Sequence, residues 1–222
     1  MTPRWVVIAK VVVWAACLAP FAWLFVRAAG IAGTLGADPV VEILDTCGKT
    51  GLNLLMLTLG VTPLRRSTGI NRLLSFRRLL GLFAFFYLVL HFLTYALLDL
   101  GLQWGTLLED IAERPFITVG FTGLVLLVPL AATSTQALQR RLGRNWVKLH
   151  RLVYVVAVLG VTHYWWQVKS KADFGDPLFY AIVLAVLFAA RLLHNASVHA
   201  KAAVPPANQR VEPPQAREKP GH

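Results

Sequence analysis

Six stretches of this chain are apolar over about 20 residues each, the length a helix needs to cross the roughly 30 Å hydrocarbon core of a bilayer. They run from Trp5 to Ala29, Val40 to Thr62, Ser75 to Leu98, Pro115 to Thr133, Trp146 to Val168 and Leu178 to His194. With 56% hydrophobic residues and only 15% charged among 222, the composition exceeds what an ordinary soluble domain carries. The expectation is an all-α, polytopic membrane protein built as a six-helix transmembrane bundle over residues 1–198. From His199 to His222 the sequence is Ala, Pro, Lys and Glu without periodicity, which reads as a disordered cytoplasmic tail.

The first apolar run is longer than the core of a signal peptide and so reads as an uncleaved helix. A Gly-rich loop follows it. The second span is interrupted by Glu42, Asp45, Lys49 and Asn53, which puts its first half at the membrane interface, and Pro63 is expected to break it. Residues 100–114, with Glu109, Asp110 and Glu113, read as a loop, and Pro115 opens the fourth span at the position where its missing N–H does no harm. Cys17 and Cys47 form neither a CxxC pair nor a CxxCH motif and read as packing residues.

A net charge of +11 would raise the question of nucleic acid in a soluble protein. Here the charge is segregated by loop, which excludes that reading. The connections after spans two and four carry Arg65, Arg66, Arg72, Arg77, Arg78, Arg140, Arg141, Arg144, Lys148 and Arg151 and no acid. The opposite connections carry Asp38, Glu42, Asp45, Asp99, Glu109, Asp110, Glu113, Asp173 and Asp176. Under the positive-inside rule the basic side faces the cytoplasm, with both termini inside and lipid around the bundle.

Histidine inside a membrane span is costly and points to function. His91 and His163 lie on spans that start at the same face, each about 24 Å in at ~1.5 Å per residue. Imidazoles at matching depth on neighbouring helices are the donor set that grips one haem iron from both sides. Without a CxxCH motif, such a haem is non-covalent and b-type. His150 lies about 20 Å below His163 on the same helix, and Arg77 lies below His91, so the two mark an inner level. That level suits a second haem with one histidine ligand, or an anionic flavin or haem propionate held by Arg77. His194, His199 and His222 read as solvated. The aromatics Phe85, Phe86, Tyr87, Phe92, Tyr154, Tyr164, Trp165 and Trp166 suit a porphyrin wall, and Tyr164, Trp165 and Trp166 equally suit an interfacial belt.

The runs Leu59–Arg66, Arg77–Leu82 leading to His91, Arg114–Gly120, Pro129–Thr135, Arg141–Trp146 and Leu149–Tyr154 resemble the MsrQ/YedZ family. That family is the haem-binding membrane subunit of a periplasmic methionine sulfoxide reductase system, related to ferric reductase and NADPH oxidase transmembrane domains. The resemblance covers about Thr50 to Trp166 and implies a ferric reductase-like bundle holding one or two b haems. In the related domains two histidines on each of two helices bind two stacked haems. His91, His150 and His163 match three of those four metal ligands by position, and Arg77 stands where the fourth would be. The resemblance also implies electrons from the quinone pool or a cytosolic flavin reductase, admits a bound FMN, and sends the electrons to a periplasmic molybdopterin subunit.

On this reading the chain is an electron-transfer subunit with no catalytic residue of its own. The sequence holds no soluble catalytic domain and no GxGxxG or GxxxxGK[ST] fingerprint. Two alternatives remain. One is a proton- or metal-handling transporter using bare histidines, which would need buried carboxylates that the span interiors nearly lack. The other is a ferric reductase, which would need a donor domain.

Overall fold

The computed structural model describes residues 4–168 and 175–202. Among these there is no strand, and the isolated bridge between Ile31 and Gly33 is a loop contact. The helices are α1 (Arg4–Ala28), α2 (Pro39–Thr68), α3 (Leu74–Thr94), α4 (Trp104–Glu113), α5 (Pro115–Ala132), α6 (Gln136–Leu142), α7 (Arg144–His150), α8 (Leu152–Gln167) and α9 (Gly175–Ala202). The chain divides into two compact units, residues 1–187 and 188–222. The second contains the C-terminal part of α9, where Ser197 Oγ donates to the His194 carbonyl.

Four helical stretches are long and apolar enough to cross a membrane: α1, residues 71–99 including α3, α5 and residues 175–198 of α9. The other two expected spans are present as helices of different character. α2, at 30 residues, is long but carries Glu42, Asp45 and Lys49, while α8 is only 16 residues. The expected fifth span starting at Trp146 is divided at Arg151. There Arg151 N–H bonds to the Lys148 carbonyl and Tyr154 N–H to that of Arg151, tightening the ladder between α7 and α8.

Two further expectations are corrected. Pro63 does not break α2, which runs through it to Thr68 and stops at Gly69. A proline lacks one ladder donor, a defect that packed membrane helices absorb. The stop belongs to Gly69, whose φ of 72° is the left-handed cap glycine adopts without strain, and its N–H bonds to the Arg65 carbonyl. Residues 104–113, read as loop, form the amphipathic α4, with Leu107 and Asp110 buried and Trp104 and Leu108 exposed. Asp110 is accommodated because Tyr95 Oη donates to it and Arg114 Nε reaches it at 2.9 Å. α9 extends through Ala202, so the tail expected from His199 falls outside the described residues from 203 onward, as do Lys169–Phe174 and His222.

Within the first unit, α2 packs along α3 and α5 along α8, and the pairs meet through α3 with α5 and α2 with α8. The four helices enclose the region where His91 and His163 lie. α5 starts at Pro115, the N1 position that costs proline nothing, and Trp146 Nε1 ties α7 to the end of α5 by donating to the Thr133 carbonyl at 2.9 Å. Cys17 and Cys47 are buried free thiols, as expected of packing residues.

α1 lies outside this group and leaves Val7, Ile8, Val11, Val12 and Phe25 exposed, a face suited to lipid. Its link to α3 is specific. The fully buried Tyr87 donates from Oη to the Cys17 carbonyl at 2.7 Å and accepts from Phe21 N–H at 3.1 Å. Those two backbone groups are ladder partners in an uninterrupted helix, so the hydroxyl stands within the α1 ladder beside Pro20. Removing it by Tyr87→Phe leaves the Cys17–Phe21 step without its bridge. We expect a loss of about 1–3 kcal/mol, measured as a lower Tm in detergent. An unchanged Tm would show that α1 closes its own ladder there.

Candidate functional site

His91, on the last turn of α3, and His163, near the end of α8, face each other with ring centroids 6.1 Å apart and planes at 84°. Each ring spends one nitrogen on backbone. His91 Nδ1 lies 3.0 Å from the Leu44 carbonyl on α2, and His163 Nδ1 lies 2.7 Å from the Phe116 carbonyl on α5. As the carbonyl oxygen only accepts, Nδ1 is the protonated nitrogen in both rings and Nε2 carries the lone pair. The histidine follows its carbonyl by 47 residues in both cases.

A glycine lies one helical turn beyond each carbonyl and beneath each ring. A methyl group placed on Gly48 would sit 3.0 Å from His91 Nδ1. One on Gly120 would sit 2.6 Å from His163 Nδ1. Leu44, Gly48, Gly51 and His91 recur as Phe116, Gly120, Gly123 and His163 at one constant offset, so the α2–α3 and α5–α8 pairs present the same arrangement twice.

Between the two pairs lies a cavity of about 430 Å³ lined by both histidines. Its apolar part is formed by residues such as Leu52, Leu55, Leu127 and Val156. Asp45, Lys49, Asp99, Arg114 and Gln167 line it toward the helix ends that carry the acidic loops. Lys49 is held there by Asp176 at 3.1 Å, and Tyr164 Oη donates to the same carboxylate at 3.1 Å. Residues 95–99 add a π-helical turn directly after α3, and Tyr95 and Asp99 from it line the cavity.

These residues suit a metal-centred ligand. Two neutral imidazoles with free Nε2 atoms, about 6 Å apart between centroids, leave room for one metal bonded at roughly 2 Å to a nitrogen of each ring. Among the described residues no group of three or more His, Cys, Asp or Glu is placed to hold a bare metal ion. An apolar wall with a charged rim fits a flat, mostly apolar cofactor that carries anionic substituents.

The inner level differs. His150 stacks on Trp146 with centroids 3.9 Å apart, and its Nδ1 lies 3.2 Å from the Trp146 carbonyl. Arg77 is within electrostatic reach of His150, but neither lines the cavity. The structure thus brings His91 together with His163, and leaves Arg77 and His150 outside the cavity lining. Of the aromatics singled out in the sequence, Phe92, Tyr164 and Trp166 line the cavity. Phe86 and Tyr87 instead face α1, Phe86 packing on Phe21 at 5.7 Å. Sequence reasoning missed Gly48, Gly120, Lys49, Arg114 and the two carbonyls, although the equal spacings in the two halves were there to be found.

Residues 47–161 match the family described as ferric reductase like transmembrane component. The chain is 51% identical over 184 residues to the protein-methionine-sulfoxide reductase heme-binding subunit MsrQ of Ralstonia nicotianae, covering 82% of this chain and 84% of that protein. It is 47% identical over 216 residues to the protein of the same name from Xanthomonas oryzae pv. oryzae, covering 95% of each. A third such protein, from Xanthomonas campestris pv. campestris, is 48% identical over 215 residues, covering 92% of this chain and 97% of its own. The chain belongs to the MsrQ family and carries its ferric reductase-like transmembrane domain.

Proposed function

We propose that this chain is a membrane cytochrome b and the electron-carrying subunit of a protein-methionine-sulfoxide reductase system. The observation that carries the reading is the facing pair His91 and His163 across a walled cavity. The names of the relatives, which include heme binding and methionine sulfoxide reductase, support it. His91 and His163 would hold a haem b, which would supply a one-electron redox centre between the two helix pairs. The chain's own groups do the rest. The Leu44 and Phe116 carbonyls keep both rings in the Nε2-basic form, the apolar lining excludes water, and Lys49 and Arg114 offer positive charge at the rim.

Electrons enter at the basic face from the quinone pool or a cytosolic flavin reductase. They leave at the acidic face to a periplasmic molybdopterin subunit that reduces methionine sulfoxide in oxidised proteins. The chain spans the bacterial inner membrane six times with both termini cytoplasmic, as a haem-binding domain over 1–198 followed by a tail. His150 and Arg77 form the inner level. There His150 is a single histidine ligand for a second haem, or Arg77 holds an anionic group such as FMN phosphate.

Purified protein should show reduced-minus-oxidised b-type bands, with haem and flavin counted together by pyridine haemochrome assay and flavin extraction. His91→Ala and His163→Ala should each abolish the low-spin signal of the outer haem, and full haem content in both variants would refute the ligand assignment. A colourless protein that loads zinc would favour metal handling instead. Reporter fusions should place Gly143 in the cytoplasm and Leu102 in the periplasm, and the opposite pattern would reverse the proposed direction of flow.

A further inference from the structure

We propose that Gly48 and Gly120 are positioning residues for the two imidazoles. Each lets a ring lie flush on the neighbouring helix, so that Nδ1 is spent on a backbone carbonyl and Nε2 is left for the cavity that both rings line. This rests on the reading of His91 and His163 as haem ligands. The carbonyl that receives each ring lies four residues before the glycine, and is thus the acceptor for the glycine's own N–H in the helical ladder. A carbonyl oxygen has two lone pairs and serves both donors, but only if the ring comes close to the helix surface beside it. The ring occupies the space where a side chain at that glycine would begin.

The two positions differ in degree. At Gly120 an added methyl lies 2.6, 2.8 and 3.1 Å from three atoms of the His163 ring, the first two closer than such contacts occur. The ring or α5 must therefore shift, which disturbs the Nδ1 contact with the Phe116 carbonyl. At Gly48 the distances to His91 are 3.0, 3.2 and 3.7 Å, so a small displacement relieves the contact. Two other glycines on the same helices separate this role from plain packing. At Gly123 an added methyl makes an ordinary contact with Leu159 Cβ at 3.7 Å, and at Gly51 it meets Leu88 at 2.8 Å without touching a histidine. Alanine is also the better helix former by about 1 kcal/mol, so a loss at Gly48 or Gly120 opposes the helix propensity of the substitution.

The test uses the full-length, haem-loaded protein in detergent, read by visible and EPR spectroscopy with haem-to-protein ratio and Tm. Gly120→Ala should convert low-spin haem to a high-spin form, and added imidazole should restore the low-spin spectrum by replacing the displaced ring. Gly48→Ala should keep a low-spin spectrum with altered EPR g values, and it carries the test alone if Gly120→Ala does not fold. Gly51→Ala, which meets Leu88 and does not line the cavity, should lower Tm with no change of spin state. Unaltered spin state and g values in both Gly48→Ala and Gly120→Ala would overturn the proposal, as would a Gly51→Ala spectrum that matches Gly120→Ala. Failure of the underlying ligand reading is distinguishable, because it appears in wild-type protein without low-spin haem, or in His91→Ala and His163→Ala variants that keep it.

Discussion

The hydrogen bonds from His91 Nδ1 to the Leu44 carbonyl and from His163 Nδ1 to the Phe116 carbonyl fix everything that can happen between the two helix pairs. A neutral imidazole has one donor and one acceptor nitrogen, and committing the donor to the backbone leaves the acceptor for the cavity. The bond also restrains each ring plane, and the two planes stand at 84° to each other. A hydrogen bond to the second nitrogen raises the basicity of a ligating imidazole. The backbone of α2 and α5 therefore sets both the direction and the strength of the donors that α3 and α8 contribute.

The same need to satisfy polar groups without water explains several features that are otherwise unrelated. Thr58 Oγ1 returns to the Leu54 carbonyl at 2.7 Å and Thr94 Oγ1 to that of Leu90 at 2.8 Å, so hydroxyls inside spans are absorbed by their own helices. Tyr87 does the converse, lending its hydroxyl to a foreign helix at the Cys17–Phe21 step. At the end carrying the acidic loops, charges pair with one another. Arg27 meets Glu42 and donates to the Thr34 carbonyl at 2.8 Å, while Lys49 meets Asp176. These pairs hold the ends of α1, α2 and α9, and Lys49 brings one of them to the cavity rim.

Much of this was legible in the chain, because apolar length and loop charge are strong signals. The expected starts at Pro115 and near Ser75, and the meeting of His91 with His163, needed only helical rise and a common starting face. What sequence reasoning missed has physical causes. α4 was concealed by Glu109, Asp110 and Glu113, since a buried acid reads as loop until its partners Tyr95 and Arg114 are known. Pro63 was given too much weight, because a proline's cost in a helix depends on neighbours that the local sequence does not reveal. Phe86 and Tyr87 were candidates for a porphyrin wall, yet their faces of α3 turn to α1. The glycines passed unnoticed because one glycine in a membrane helix serves many packing purposes. Only the repetition of the same spacing in both halves singles them out.

That repetition stops between the outer and inner levels, and the break has a chemical sense. At the constant offset that matches His91 to His163, the counterpart of His150 is Arg78, beside Arg77. An arginine stays protonated and has no lone pair to offer a metal, so the two halves cannot present a symmetric imidazole pair there. His150 instead rests on Trp146, and that indole is itself anchored to the Thr133 carbonyl at the end of α5. The division of the fifth span at Arg151 follows from the same arrangement, since α7 must hold Trp146 against α5 while α8 holds His163 against Gly120. One unbroken helix would have to meet both constraints with a single axis, and the tightened turn between Lys148 and Tyr154 lets each segment meet its own.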